Sequence, residues 1–141
     1  MKILKGIFLI FLLIGSLSYA QFALDTLSID YNSMPIADKA NLLKEVGLGY
    51  LNLNDYAKAL SYFNDALKLY QSSHHEAGIA DISNHLGTIH NKIGTYEKAL
   101  EFYFESLRIS EKNSNKADIA QALNNIGIVY QNLKKYAEAL E

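Results

Sequence analysis

The sequence predicts an all-α fold, an α-solenoid of antiparallel helix pairs preceded by a signal peptide, and three observations predict it. The chain repeats itself without a gap every 40 residues: Gly47, Gly87 and Gly127 recur, as do Tyr56, Tyr96 and Tyr136, and the pairs Ala59-Leu60, Ala99-Leu100 and Ala139-Leu140. A fixed period of this kind marks a stack of similar units with no single globular core. Within each unit apolar residues recur at three and four, the stripe of a packed helix. Between the stripes stand Asn54-Asp55, Gly94-Thr95 and Asn113-Ser114-Asn115, residues suited to turns and helix starts.

The first element is Met1 to Ala20. Lys2 and Lys5 precede an apolar run from Ile7 to Leu17, and Ser18-Tyr19-Ala20 puts small residues where a signal peptidase reads. Residues 1–20 are therefore expected to be a signal peptide cut before Gln21. The run falls short of the ~20 residues that span a bilayer, and with no cysteine in the chain a lipoprotein anchor is excluded. Removing Lys2 and Lys5 from the 13 basic residues leaves 11 against 15 acidic ones, about −4. That charge argues against nucleic acid or an anionic membrane surface as partner. With no disulfide possible, stability must come from helix packing.

Residues 21–36 carry no clean period and read as a linker or lead-in helix, ending where Ser33 can cap and Pro35 can enter a first turn. Unit 1 occupies 37–76. Its first helix runs from Ile36 to Leu53 with the stripe Leu42, Leu43, Val46, Tyr50 and Leu53, and its second from Tyr56 to Ser72, buried through Ala59, Leu60, Phe63, Ala66, Leu67 and Tyr70. Unit 2 occupies 77–116. Ser73 and Glu76 have the spacing of a capping box, which predicts a first helix from Ser73 to Ile93; after Gly94-Thr95 the second runs from Tyr96 to Lys112. Unit 3 is 117–141 and incomplete, its first helix running from Lys116 to Leu133 with a looser turn expected at Lys134-Lys135.

With the glycine of each unit at position 8, the chain resembles the tetratricopeptide repeat, a helix-turn-helix unit with small residues at 8, 20 and 27 and large ones at 4, 7, 11, 17 and 24. Position 7 holds Val46, Leu86 and Ile126; position 11 Tyr50, His90 and Tyr130; position 24 Phe63 and Tyr103; position 27 Ala66 and Ser106. Ser83 at position 4, His90 among aromatics, and Gln71 and Glu111 where the family often has proline depart from the pattern. The 40-residue period resembles the longer variant of bacterial signalling proteins. Gly47, Gly87 and Gly127 are expected to face the alanines at position 20, letting helix axes approach closely. Because the third unit stops before positions 24 and 27, we expect an N-terminal fragment of a longer protein.

No enzyme signature survives. His75-Glu76 begins like a zinc protease motif, but Ile79 stands where the second histidine belongs. Gly47-Leu48-Gly49 begins like a dinucleotide loop, yet it lies inside a helix with Asn52 at the third glycine. His74 and His75 are expected to be solvated at a helix start, His85 on an exposed helix edge and His90 in packing, with a pH-sensitive joint as the minor reading of His90. Catalytic residues, cofactors and metals are expected to be absent from these residues.

What the resemblance implies is binding. First helices of the family line the inside of a superhelix, and positions 2, 5, 9, 12 and 13 face a bound segment. On this sequence the groove would include Lys44 and Leu48, then Asn84, Thr88 and Asn91, then Asn124, Ile128 and Gln131, with Asn41, Leu51, Asn52, Asp81, Lys92, Gln121 and Asn132 beside them. Carboxamides both donate to and accept from a peptide backbone. The carboxylate clamp of chaperone-binding members matches only at Lys44; Leu48, His85, Gln121 and Asn125 do not fit it.

The expected function is an exported module, periplasmic or secreted or the extracytoplasmic part of a membrane protein, that binds protein or peptide in this groove and does no chemistry of its own. The alternative is the periplasmic sensor region of a membrane histidine kinase or related signal-transduction protein whose effector lies beyond residue 141. No nucleic acid and no membrane insertion after signal cleavage are expected, while self-association through the unfinished third repeat is a further expectation.

Overall fold

Five helices follow one another at a constant step: α1 (Ile36–Asn52), α2 (Tyr56–Ser72), α3 (Glu76–Lys92), α4 (Tyr96–Lys112) and α5 (Lys116–Leu140). The computed structural model describes residues 33–140, with side chains as far as 135. The signal peptide expected at 1–20 lies outside the described residues, as do 21–32 of the lead-in segment and the side chains of Tyr136, Ala139 and Leu140.

The first four helices are each 17 residues long and are separated by three residues. The reason is one turn chemistry used four times. Asn54, His74, Gly94 and Ser114 stand 20 residues apart and each has a positive φ, between 53° and 78°. At each, two backbone bonds close the helix end, as where Asp55 N–H donates to Tyr50 C=O and Asn54 N–H to Leu51 C=O, both at 3.0 Å. This is the Schellman arrangement, and it satisfies carbonyls that the helix leaves without partners. At three of the four the next residue caps the following helix: Asp55 accepts from Lys58 N–H, His75 Nδ1 from Gly78 N–H, and Asn115 from Asp118 N–H; Thr95 makes no cap, its hydroxyl donating back to His90 C=O.

Two expectations about helix ends are overturned by this turn. Ser73 does not start α3 as a capping box; its hydroxyl donates back to the carbonyls of Leu69 and Tyr70, closing α2, while His75 caps α3. Lys134-Lys135 is not a turn at all, and α5 runs through it as one 25-residue helix. By the 20-residue step Lys134 falls where a left-handed residue would be needed, which costs a lysine roughly 1–2 kcal/mol. Lys135 falls at the cap, where an ammonium cannot accept an N–H.

Helix pairs α1·α2 and α3·α4 are the most closely packed, and α2·α3 and α4·α5 join one pair to the next. Phe63, Ile82, Leu86, Ile89 and Val129 are fully buried, with Tyr70 and Tyr103 nearly so. Each such side chain contributes about 1.5–3 kcal/mol on leaving water. Leu60 and Leu67 are only half-buried, and Leu53 is a 60 % exposed helix end and not part of the stripe. The small residue at position 8 makes room for a ring. A Cβ on Gly47 would meet the Phe63 ring at 2.6 Å and one on Gly87 the Tyr103 ring at 2.7 Å, so the aromatic at position 24 is what lies nearest each glycine.

Aromatic pairs repeat with the same frame. Tyr50 stacks on Tyr62 with centroids 5.4 Å apart, and His90 stacks on Phe102 at 5.5 Å. Among the described residues nothing covers the equivalent face of α5: Gly127 has open space, and Leu123 and Tyr130 are each 53 % exposed.

Candidate functional site

The expected groove residues lie on α1, α3 and α5, the first helices of the three units, and the structure joins several of them across unit boundaries. Lys44 Nζ on α1 donates to Asp81 Oδ2 on α3 at 2.9 Å. His85, one turn further along α3, reaches Asp81 Oδ1 at 3.3 Å through Nε2 while its ring stacks on Phe63 at 5.3 Å. His85 is therefore half-buried in the joint, not placed on an exposed edge. The sequence hid this because the aromatic it meets lies on α2, beyond the reach of any helical period. The His85 hydrogen bond, against the opposing effect of burial, and then Lys44 hold the Asp81 carboxyl at about 2. Burial alone would lower Lys44, but the bond and charge of Asp81 outweigh it and the ammonium is raised.

Between α3 and α5 the joint is made of amides. Asn125 Nδ2 donates to Asn84 Oδ1 at 2.8 Å, and Asn132 Nδ2 donates to Asn91 Oδ1 at 3.0 Å. Asn84 is consequently only 8 % exposed. Thr88 donates to the Asn84 carbonyl and accepts from the Tyr103 hydroxyl. Leu48 is half-buried on α1, while Asn124, Ile128 and Gln131 are exposed on α5. Asn125 falls outside the groove positions, and a contact 41 residues apart is not a helical spacing, so no sequence period points to it.

Between α3, α4 and α5 opens a pocket of about 130 Å³ lined by Ala80, Asp81, Asn84, Ser106, Asp118 and Gln121. Three of these, Asp81, Asn84 and Gln121, belong to the expected groove positions, and Ala80, Ser106 and Asp118 do not. Asp118 is held in place by Asn115, whose Nδ2 donates to its Oδ2 at 2.6 Å. Among the described residues no cluster of three or more histidines, cysteines or acids could hold a metal ion, and no helix is long and apolar enough to cross a membrane.

Two family models, each for the tetratricopeptide repeat, match this chain, one over residues 40–73 and the other over 78–141, together well over half of it. The chain belongs to the tetratricopeptide repeat family. Tetratricopeptide repeats are protein–protein interaction modules and generally non-catalytic, which fits a face of hydrogen-bonding side chains. Among solved structures, BtubC (BKLC) from P. vanneervenii is similar, with a TM-score of 0.63 and 21 % identity over 72 % of this chain and 42 % of that one. At that identity the likeness is one of tetratricopeptide fold, and this chain spans less than half of the BtubC chain. No curated protein matches the chain.

Proposed function

We propose that this chain is an exported tetratricopeptide repeat module that binds an extended protein segment along the face made by α1, α3 and α5. The observation that carries the reading is the tying of neighbouring first helices by Lys44–Asp81, Asn84–Asn125 and Asn91–Asn132. These bonds fix the face before a partner arrives, which spares a ligand the cost of ordering it. Lys44, Asn84, Thr88 and Asn91 are the fixed part of that face, and Leu48, Asn124, Ile128 and Gln131 are its contact points. Export rests on the residues of Met1 to Ala20. Mass spectrometry of the protein from cells should find Gln21 at its N-terminus; an intact Met1 in the cytoplasmic fraction overturns export.

Binding is tested with an array of extended peptides. Asn124→Ala with Ile128→Ala should weaken bound peptides at least roughly tenfold, as loss of contact residues does. Lys68→Ala, on the exposed side of α2, should leave them unchanged. Equal affinities for all three proteins would overturn the groove.

A second mode is favoured by one observation, the uncovered face of Leu123 and Tyr130 on α5. Self-association there would appear as a mass that rises with concentration and falls on Tyr130→Ser. A mass that stays monomeric overturns it.

A further inference from the structure

The pocket between α3, α4 and α5 has a filled counterpart 40 residues earlier in the chain. There Tyr70 is 1 % exposed; its hydroxyl donates to Asn41 Oδ1 at 2.7 Å and its ring stacks on His75 at 5.3 Å. Gly78 lies against the same ring, where a Cβ would meet it at 2.5 Å. Moving each residue forward by one period replaces Tyr70 with Ser110. Asn41 and Gly78, which hold Tyr70, become Asp81 and Asp118. Lys44 and Asp81, whose charges act on the Tyr70 hydroxyl, become Asn84 and Gln121, and Ala66, one turn before it, becomes Ser106. Of these six replacements, all but Ser110 line the pocket. The cavity is therefore walled by the counterparts of the residues around Tyr70, with no ring among them. Ser110 is 2 % exposed, and its hydroxyl is the one buried side-chain polar atom without a hydrogen bond among the described residues.

The volume suits a ring as guest, since about 130 Å³ is close to the ~150 Å³ cavity that holds benzene in another protein. The lining adds what benzene would not use. Asp81 stands where Asn41 accepts the Tyr70 hydroxyl, and a carboxylate keeps acceptor sites beyond those taken by Lys44 and His85. We propose that this pocket receives a tyrosine side chain from the segment bound along the first helices, the phenol hydroxyl donating to Asp81. The proposal rests on the groove reading above and names the side chain that gives it specificity.

The test is a nuclear magnetic resonance titration of the whole chain with N-acetyl-tyrosine amide. Saturable shifts at Ala80, Asn84 and Gln121 are expected at about millimolar ligand. N-acetyl-phenylalanine amide should bind roughly tenfold more weakly, the loss of one hydrogen bond to an ionised acceptor. Ser110→Tyr should abolish the shifts by filling the cavity from within. Gln121→Phe, at an exposed lining position, should block it without disturbing packed residues, so a folding failure of the first variant does not spoil the test.

Equal affinity for both amides, no saturation, or binding that survives Gln121→Phe would overturn the proposal. Peptides that lose affinity on Ile128→Ala but ignore both Ser110→Tyr and Gln121→Phe would overturn the pocket and leave the groove standing. Tyrosine amide blocked by Gln121→Phe, with no peptide responding to Ile128→Ala, would support the phenol pocket and overturn the groove.

Discussion

Tyr103 lies so close to Gly87 that a Cβ added to the glycine would stand 2.7 Å from the ring carbon Cε1. Both residues are buried and the ring has no free side to turn toward. Gly87→Ala should therefore destabilise by about 1–3 kcal/mol through overpacking, although alanine is the better helix former. Gly127→Ala, with nothing near its Cβ, should stabilise by about 0.5–1 kcal/mol. Urea unfolding of the two variants reads the opposite signs directly.

The left-handed turns make a second pair of opposite effects. Gly94 has φ +78°, so Gly94→Ala should cost roughly 1–2 kcal/mol. His74 and Ser114 hold the same conformation with a Cβ, at φ 53° and 55°, and His74→Gly or Ser114→Gly should recover part of that energy, about 1 kcal/mol. Melting temperatures that move the same way for all three would contradict the shared turn.

Acid should loosen the first joint within a defined window. The Asp81 carboxyl sits at about 2 in the folded chain against an ordinary 3.8, so its stabilisation is complete above about pH 4 and is lost as pH falls toward 2. The shift alone corresponds to roughly 2 kcal/mol, but a carboxylate with 42 % of its side chain exposed is screened, and about 1 kcal/mol is expected. Stability curves of the natural chain and Asp81→Asn should converge between pH 4 and 2.

His90 has the opposite ionic preference. Burial, and then the charge of Lys98, lower it below the ordinary 6.5, with Glu101 acting the other way. The folded chain thus favours the neutral ring, and stability present above pH 6.5 declines as pH falls below it. His90→Tyr, matching Tyr50 and Tyr130, should flatten that decline in a series of melts between pH 7.5 and 5.

Much of the fold could be read from the sequence because the repeat states each contact more than once. Phe63 and Tyr103 recur in one frame with Gly47 and Gly87, and the frame sets helix order and faces. It does not set which side chain crosses to which. A helical period puts Gly87 on the packed face, but whether it meets Ala99 or Tyr103 depends on how far a ring reaches across the pair. His75 as a cap was hidden because Ser73 and Glu76 offered a more familiar spacing. Lys134-Lys135 misleads for the converse reason, the frame demanding a turn where neither residue supports one. The pocket was least legible, since it is an absence, seen only when Ser110 is set against Tyr70.

The two joints between first helices are built from different materials. The Lys44–Asp81 ion pair, with His85 bonded to the same carboxylate, makes the earlier one, whereas Asn84–Asn125 and Asn91–Asn132 make the later one from neutral amides. Dissolved ions weaken the former somewhat, since it is partly buried and only 2.9 Å across, and leave the latter almost untouched. The stack therefore has one joint that answers to the surrounding medium and one that is set by the chain alone.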